Sequence, residues 1–281
     1  MPKKSKNNID TLSQFGQYSS HWLQKRIWFF CNYYKFPQKR RRWLRKKVAK
    51  YFPGPFDVVI DKMNFRLYPL DNHSDKYMFS RSSFHEFDEL KKLSELFKPG
   101  MVFVDIGANI GCYSVYLGTK NPNAAAIIAL EPHPETFKKL VNNIEANSLS
   151  SVRCLNLACD AEKGKKKLWS QGGRNAGTNS LKAESMKKTS SYDLVTTMPL
   201  QEILENEEIS RVDILKIDIE GYEDQVLWPF IKSAPESILP KYLLLEVVHN
   251  HLWTAELFKL LKDKNYVLTM DTNLNHLYER L

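Results

Sequence analysis

The chain has 281 residues, of which 43% are hydrophobic, with 11 glycines, 13 prolines and four cysteines. That excludes collagen, a disulfide scaffold and wholesale disorder, and it allows one large core or two small ones. The net charge of +9 is uneven: residues 1–55 hold fourteen Lys and Arg against one acid, Asp10, so they carry +13 and residues 56–281 carry −4.

Residues 1–20 are polar and expected to be mobile. Residues 21–52 mix the cations with ten aromatic residues, from Trp22 to Phe52. The longest apolar run there, residues 27–31, is too short for a signal-peptide core or a membrane span. The chain is therefore expected in the cytoplasm, in solution or peripheral on the membrane face. Cys31, Cys112, Cys154 and Cys159 form no CxxC pair and read as reduced thiols. Gly54 between Pro53 and Pro55 marks a boundary. Strand-like runs follow at 57–60 and 65–70. Phe84, Phe87, Leu90, Leu93 and Phe97 then recur at helical spacing until Pro99-Gly100. Three parts are predicted: a basic segment 1–55, a strand pair and helix at 56–99, and a main domain at 100–281.

Beyond Gly100, strand-like runs at 101–106, 125–131, 151–158, 212–218 and 242–248 alternate with helical patterns at 110–119, 133–147, 222–231 and 252–264. Residues 161–192 are polar and read as a long loop or hairpin. Residues 266–270 and 275–280 face each other as a terminal hairpin. The pattern predicts an α/β fold: a mostly parallel sheet with helices on both faces and a C-terminal antiparallel hairpin.

The chemistry concentrates at strand ends. In 102–114, a strand runs through Asp105 into Gly107, Ala108, Asn109 and Gly111, which open a helix. In a doubly wound sheet, ligands bind at the carboxyl ends of strands. The two glycines would let backbone approach a ligand. The spacing is not that of a dinucleotide turn, and the preceding acid disfavours a pyrophosphate. Asp105 suits the positive charge of S-adenosylmethionine, so DxGAxxG after a strand points to a class I methyltransferase. Glu131 ends the next strand, where an acid accepts hydrogen bonds from ribose hydroxyls. Two readings stand for Asp160: contact with the adenine amine, or a turn residue.

Residues 103–114 (FVDIGANIGCYS), then 129–147, then LKIDIEGYEDQVL at 215–227, resemble the FkbM family of S-adenosylmethionine-dependent O-methyltransferases. The resemblance covers about residues 84–250, with weaker matches at Glu86, Ser180-Leu181 and Glu246. It departs at Gln201, where the family tends to carry Asp, and residues 1–55 match nothing in it. The resemblance implies a Rossmann-like methyltransferase fold and transfer to a hydroxyl. The acceptor expected is a sugar in a glycolipid, polysaccharide or glycosylated metabolite.

Asp218 and Glu220 sit at a strand end, and His249 lies just beyond another. Each is a candidate base for the acceptor proton. Alternatively, Glu220 caps the following helix and His249 is a surface residue. Asp218, Glu220 and a third oxygen ligand would suffice for a divalent metal, but no metal-specific spacing is present. Lys35 to Lys50 includes nine cations and no acid, with Trp43, Leu44, Val48, Tyr51 and Phe52 near one helical face. This segment fits an anionic membrane surface. An RNA methyltransferase, or a non-enzymatic membrane- or nucleic-acid-binding module, would use the same residues. A solvated helix packed on the main domain is the plainest alternative.

Overall fold

The computed structural model describes residues 9–31, 37–52, 54–170, 179–182 and 191–281. Two helices come first, α1 (Trp22–Cys31) and α2 (Gln38–Tyr51), then a hairpin of β1 (Phe56–Ile60) and β2 (Met63–Leu67). The hairpin contains the buried pair Asp57–Arg66, joined by two hydrogen bonds of 2.8 and 3.0 Å. Arg66 also donates to the carbonyls of Asp10, Ser13 and Gln14, and Asp57 accepts the N–H groups of Gly16 and Tyr18. Residues 9–20, expected to hang free, are thus tied to the hairpin. Residues 1–8 lie outside the described residues.

Two further helices follow, α3 (His73–Arg81) and α4 (Phe87–Leu96). Asn72 caps α3 by accepting the N–H of Ser74. The pattern from Phe84 predicted one helix; its first three residues are instead non-helical, and Glu86 starts the turn into α4.

The main sheet draws on β3 (Val102–Ile106), α5 (Cys112–Lys120), β4 (Ala126–Leu130), α6 (Pro134–Glu145) and β5 (Val152–Leu155). A second, smaller sheet contains β6 (Ala158–Cys159), β7 (Gly164–Ser170), β8 (Asn179–Ser180) and β9 (Ser191–Met198). The chain returns to the main sheet through α7 (Leu200–Asn206), β10 (Ile214–Ile217), α8 (Glu223–Ser233), β11 (Tyr242–Glu246), α9 (Leu257–Asp263), β12 (Tyr266–Asp271) and β13 (Asn275–Arg280). Its seven strands run β12-β13-β11-β10-β3-β4-β5, parallel except for β13. This is the α/β architecture expected, with the terminal hairpin at one edge.

Strands β3, β4 and β10 are buried at every residue, because helices cover both faces. Phe103 packs with Leu90, Val115 and Leu140 on one face, while Val104 and Ile106 pack with Ile203, Val226 and Leu227 on the other. Trp28 of α1 and Val48 of α2 join the first of these cores. The predicted strand 151–158 divides, since β5 stays in the main sheet and β6 pairs with β9.

Candidate active site

The strand order reverses at β3, whose neighbours are β4 on one side and β10 on the other. Such a switch point opens a crevice at the carboxyl ends of the strands. A cavity of about 420 Å³ lies there. Its walls come from the start of α3, from Glu86, from the β3–α5 turn, and from Lys216, Asp218, Glu220 and Glu246 at the ends of β10 and β11.

The β3–α5 turn is shaped by its surroundings in the chain. Gly107 has φ +76°, and a Cβ there would sit 2.0 Å from the carbonyl oxygen of Asp218. Gly111 has φ +90°, and a Cβ there would sit 2.8 Å from Leu140 Cδ1. The absent side chains make room for the β10 turn and α6, and Gly107 also lines the cavity, where its backbone stands open to a ligand. Ala108 and Asn109 line the cavity. The Asn109 N–H donates to Glu131 Oε2 at 3.0 Å, and the Asn72 amide donates to Asn109 Oδ1 at 2.6 Å.

Asp105 is fully buried and does not reach the cavity wall. Its Oδ1 lies 3.3 Å from Lys216 Nζ, and Ser114 Oγ donates to Oδ2 at 2.7 Å. The expected pairing of Asp105 with a cationic ligand is corrected accordingly: its charge is met by a lysine from the neighbouring strand. Lys216 also donates to the Gly107 carbonyl at 2.9 Å and lies 3.7 Å from Asp218 Oδ2.

Glu131 directly follows β4 and borders a compartment of about 50 Å³ with Gly107, Asn109 and Asp218. Its carboxylate accepts the N–H groups of Asn109 and His133, and burial pushes its pKa up to about 7. The compartment shares Gly107, Asn109, Asp218 and Glu220 with the main cavity. On its other side it shares Pro132, Asn179 and Ile219 with an apolar slot whose walls include Leu130, Cys159 and Leu168. Asp160 is buried behind that slot, 2.6 Å from Lys166 Nζ, and it accepts the Tyr222 hydroxyl at 3.0 Å. Its carboxylate is held by these partners rather than presented to the slot, where Tyr222 is a wall residue. Of the two readings of Asp160, these contacts favour a structural role over the adenine contact.

Asp218 and Glu220 both face the cavity. Glu220 adopts φ +58°, and its Oε2 lies 3.0 Å from His249 Nε2. No side chain caps α8, Glu220 included; Glu223 Oε1 instead folds back to accept the N–H groups of Ile219 and Gly221 in the preceding turn. Burial, then the charges of Asp218 and Glu223, push Glu220 up to about 8, while burial lowers His249. Oxygen and nitrogen atoms of Glu220, Glu246 and His249 lie within 4.8 Å of one another, so these three, rather than Asp218 with Glu220, could hold a metal ion.

Residues 105–268 match the family model described as the methyltransferase FkbM domain. The chain belongs to the FkbM methyltransferase family. It is an S-adenosylmethionine-dependent methyltransferase. Hexuronic acid methyltransferase AglP of Haloferax volcanii is 26% identical over 192 residues, covering 68% of this chain and 73% of that protein. Methyltransferase sdnD of Sordaria araneosa is 27% identical over 197 residues, covering 60% and 74%. A solved FkbM methyltransferase from Methylobacillus flagellatus superposes with a TM-score of 0.42 at 17% identity, over 74% of this chain and 55% of that one.

In this FkbM methyltransferase the crevice suits a nucleoside attached to a charged tail. The apolar slot could take a base, and Glu131 could accept from ribose hydroxyls. The acidic cavity could receive a cationic methyl donor. The sequence alone gives no role to Lys216, Glu86 or Glu246. Glu86 and Glu246 carried only a weak family match, while Lys216 sits within a buried strand and carried no signal.

The carboxylates make stability depend on pH. Burial is the first cause at Glu86, Glu131 and Glu220, pushing them up to about 7, 7 and 8 from an ordinary 4.5. Between those values the folded chain holds protons that the unfolded chain has released. The stabilisation is therefore complete below pH 4.5 and is lost as pH rises through 7 and 8. The melting temperature is expected to fall steadily from about pH 5 to pH 8.5. Thermal melts that rise across this window would contradict the assignment.

Proposed function

We propose that this chain transfers a methyl group to a hydroxyl oxygen of a sugar, with the Glu220–His249 pair taking the acceptor proton. The 3.0 Å contact between those side chains at the edge of the cavity carries the reading. S-adenosylmethionine supplies an electrophilic methyl on a sulfonium and leaves as a neutral thioether. The protein's work is to align the acceptor oxygen with that methyl and to receive one proton. The Glu220 carboxylate accepts the proton, and His249 holds the carboxylate in place. Asp218 adds negative charge beside the reacting centre.

The name of the relative from Haloferax volcanii brings a sugar to this proposal. The wall itself narrows the class. Glu86, Asp218, Glu220 and Glu246 all face the cavity, and its lysine is already beside two of the chain's carboxylates. With its lysine engaged and Glu220 largely protonated by burial, such a wall offers an anion little and favours a neutral hydroxyl-bearing face. A tritiated-methyl transfer assay over neutral glycosides, uronates and RNA tests this. Label in neutral glycosides supports it; label in RNA alone would make the chain a nucleic-acid enzyme.

Glu131 is proposed to hold the cofactor ribose. Glu131→Ala is expected to weaken S-adenosylhomocysteine binding by about 1.5–3 kcal/mol, the range for hydrogen bonds to a charged group. Calorimetry that finds unchanged affinity removes Glu131 from the site. One observation favours a second reading of the proton acceptor. The three donors within 4.8 Å are enough to hold a divalent cation, which would make activity depend on metal. Treatment with EDTA, followed by Mg²⁺ or Mn²⁺, separates the two: the carboxylate base works without either.

A further inference from the structure

We infer that α1 and α2 form a docking face for an anionic lipid bilayer. On α1, Trp22, Leu23, Arg26 and Phe30 all point outward, at one helical spacing. Trp22 is 60% exposed, and the Arg26 guanidinium lies 5.7 Å from its ring centre. On α2, Lys39, Trp43, Lys47 and Tyr51 recur every fourth residue, all exposed. Trp43 is 58% exposed, with Lys47 Nζ at 5.8 Å from its ring centre. The opposite faces are already satisfied: Trp28 is fully buried against Phe79, and Val48 packs in the same core. The outward aromatics lie outside that core.

Their chemistry selects the occupant. Residues 11–55 contain no Asp or Glu, and α2 alone includes eight Lys and Arg, so this end attracts an anionic surface. Tryptophan and tyrosine settle at the level of lipid headgroups, and Lys and Arg stems reach past them to phosphate. RNA would use the cations and could stack on the rings, but the α1 stripe is mostly apolar and includes Leu23. A bilayer accepts all of it. No described helix is long and apolar enough to cross the membrane, so the contact is with its surface.

The docking helices are joined to the cavity through α3. Helix α1 packs against α3, and Asn72, His73 and Ser74 at the start of α3 line the cavity. A bilayer held by α1 and α2 would keep the enzyme on the surface where lipid-linked acceptors reside. The acceptor is then a lipid-linked sugar, an extension that rests on the sugar reading above; the docking itself does not.

The test is co-sedimentation of the full chain with vesicles of phosphatidylcholine, with and without phosphatidylglycerol. Binding is expected only with phosphatidylglycerol and should weaken as salt shortens the Debye length to about 8 Å near 0.15 M. A variant carrying Lys39→Gln, Arg40→Gln and Lys47→Gln should bind about a hundredfold more weakly, at about a factor of five per cation. Trp22→Ser with Phe30→Ser and Trp43→Ser should also release the protein. Both variants should keep wild-type affinity for S-adenosylhomocysteine, which separates lost docking from lost folding. Wild-type protein that stays in the supernatant overturns the proposal whatever the variants do. So does a gel shift with RNA in the absence of vesicle binding. Vesicle binding without methyl transfer to a lipid-linked sugar supports the docking and sinks the acceptor assignment alone.

Discussion

Lys216→Met is expected to destabilise the protein by about 3–5 kcal/mol, because it strips the cation from a buried ion pair and leaves its partner charged. Lys216 lies 3.3 Å from Asp105, which is fully buried, and 3.7 Å from Asp218. It also satisfies the Gly107 carbonyl, so one substitution removes a charge and a hydrogen bond from the turn that forms the crevice. The melting temperature should drop on the order of 10 °C. Adding Asp105→Asn to the same chain should recover most of the loss, since Asn still accepts from Ser114 and carries no charge. A single Lys216→Met variant that melts within a degree or two of wild type would show that the pair contributes nothing.

Glu220→Gln should fold, bind S-adenosylhomocysteine normally and turn over about 10²–10⁴ times more slowly, the size of a general-base effect. The amide keeps the shape of the side chain but cannot take a proton. The pH dependence carries a sign. A base works only when unprotonated, and Glu220 is pushed up to about 8, so kcat/KM should rise with pH through about 8. That limb should vanish in Glu220→Gln and persist in Asp105→Asn. If cofactor affinity and turnover fall together in Glu220→Gln, the residue holds the β10 turn rather than moving a proton.

The alternation of strands and helices was legible because β3, β4, β10 and β11 are short apolar runs that are buried on both faces, and such runs look alike in any doubly wound sheet. Helix α3 was not legible: its nine residues include His73, Ser74, Asp75 and Lys76, and much of its order comes from packing against α1 and β2. The placement of Glu131, Asp218 and Glu220 around one crevice followed from their positions at strand ends. The partners of Asp105 and Asp160 did not. Asp105 meets Lys216 through strand register, and Asp160 meets Lys166 from β7 and Tyr222 from the turn before α8. A sequence displays a charge, but whether that charge faces a ligand or a neighbour depends on pairing between distant strands. The same limit applies to Gly107, whose missing side chain also makes room for the Asp218 carbonyl, a contact made through pairing with β10.

The seam between β3 and β10 has a consequence for how the chain is made. Val102 donates to Asp213, and those two residues are 111 positions apart. At roughly 5–20 residues per second, a ribosome needs about 5–20 s to supply the second strand after the first. Throughout that wait β3 has an open edge of apolar backbone, the kind of edge that recruits other strands. The first half of the crevice is thus synthesised as an incomplete surface. Asp105 is likewise made 111 residues before Lys216, the lysine that pairs with it.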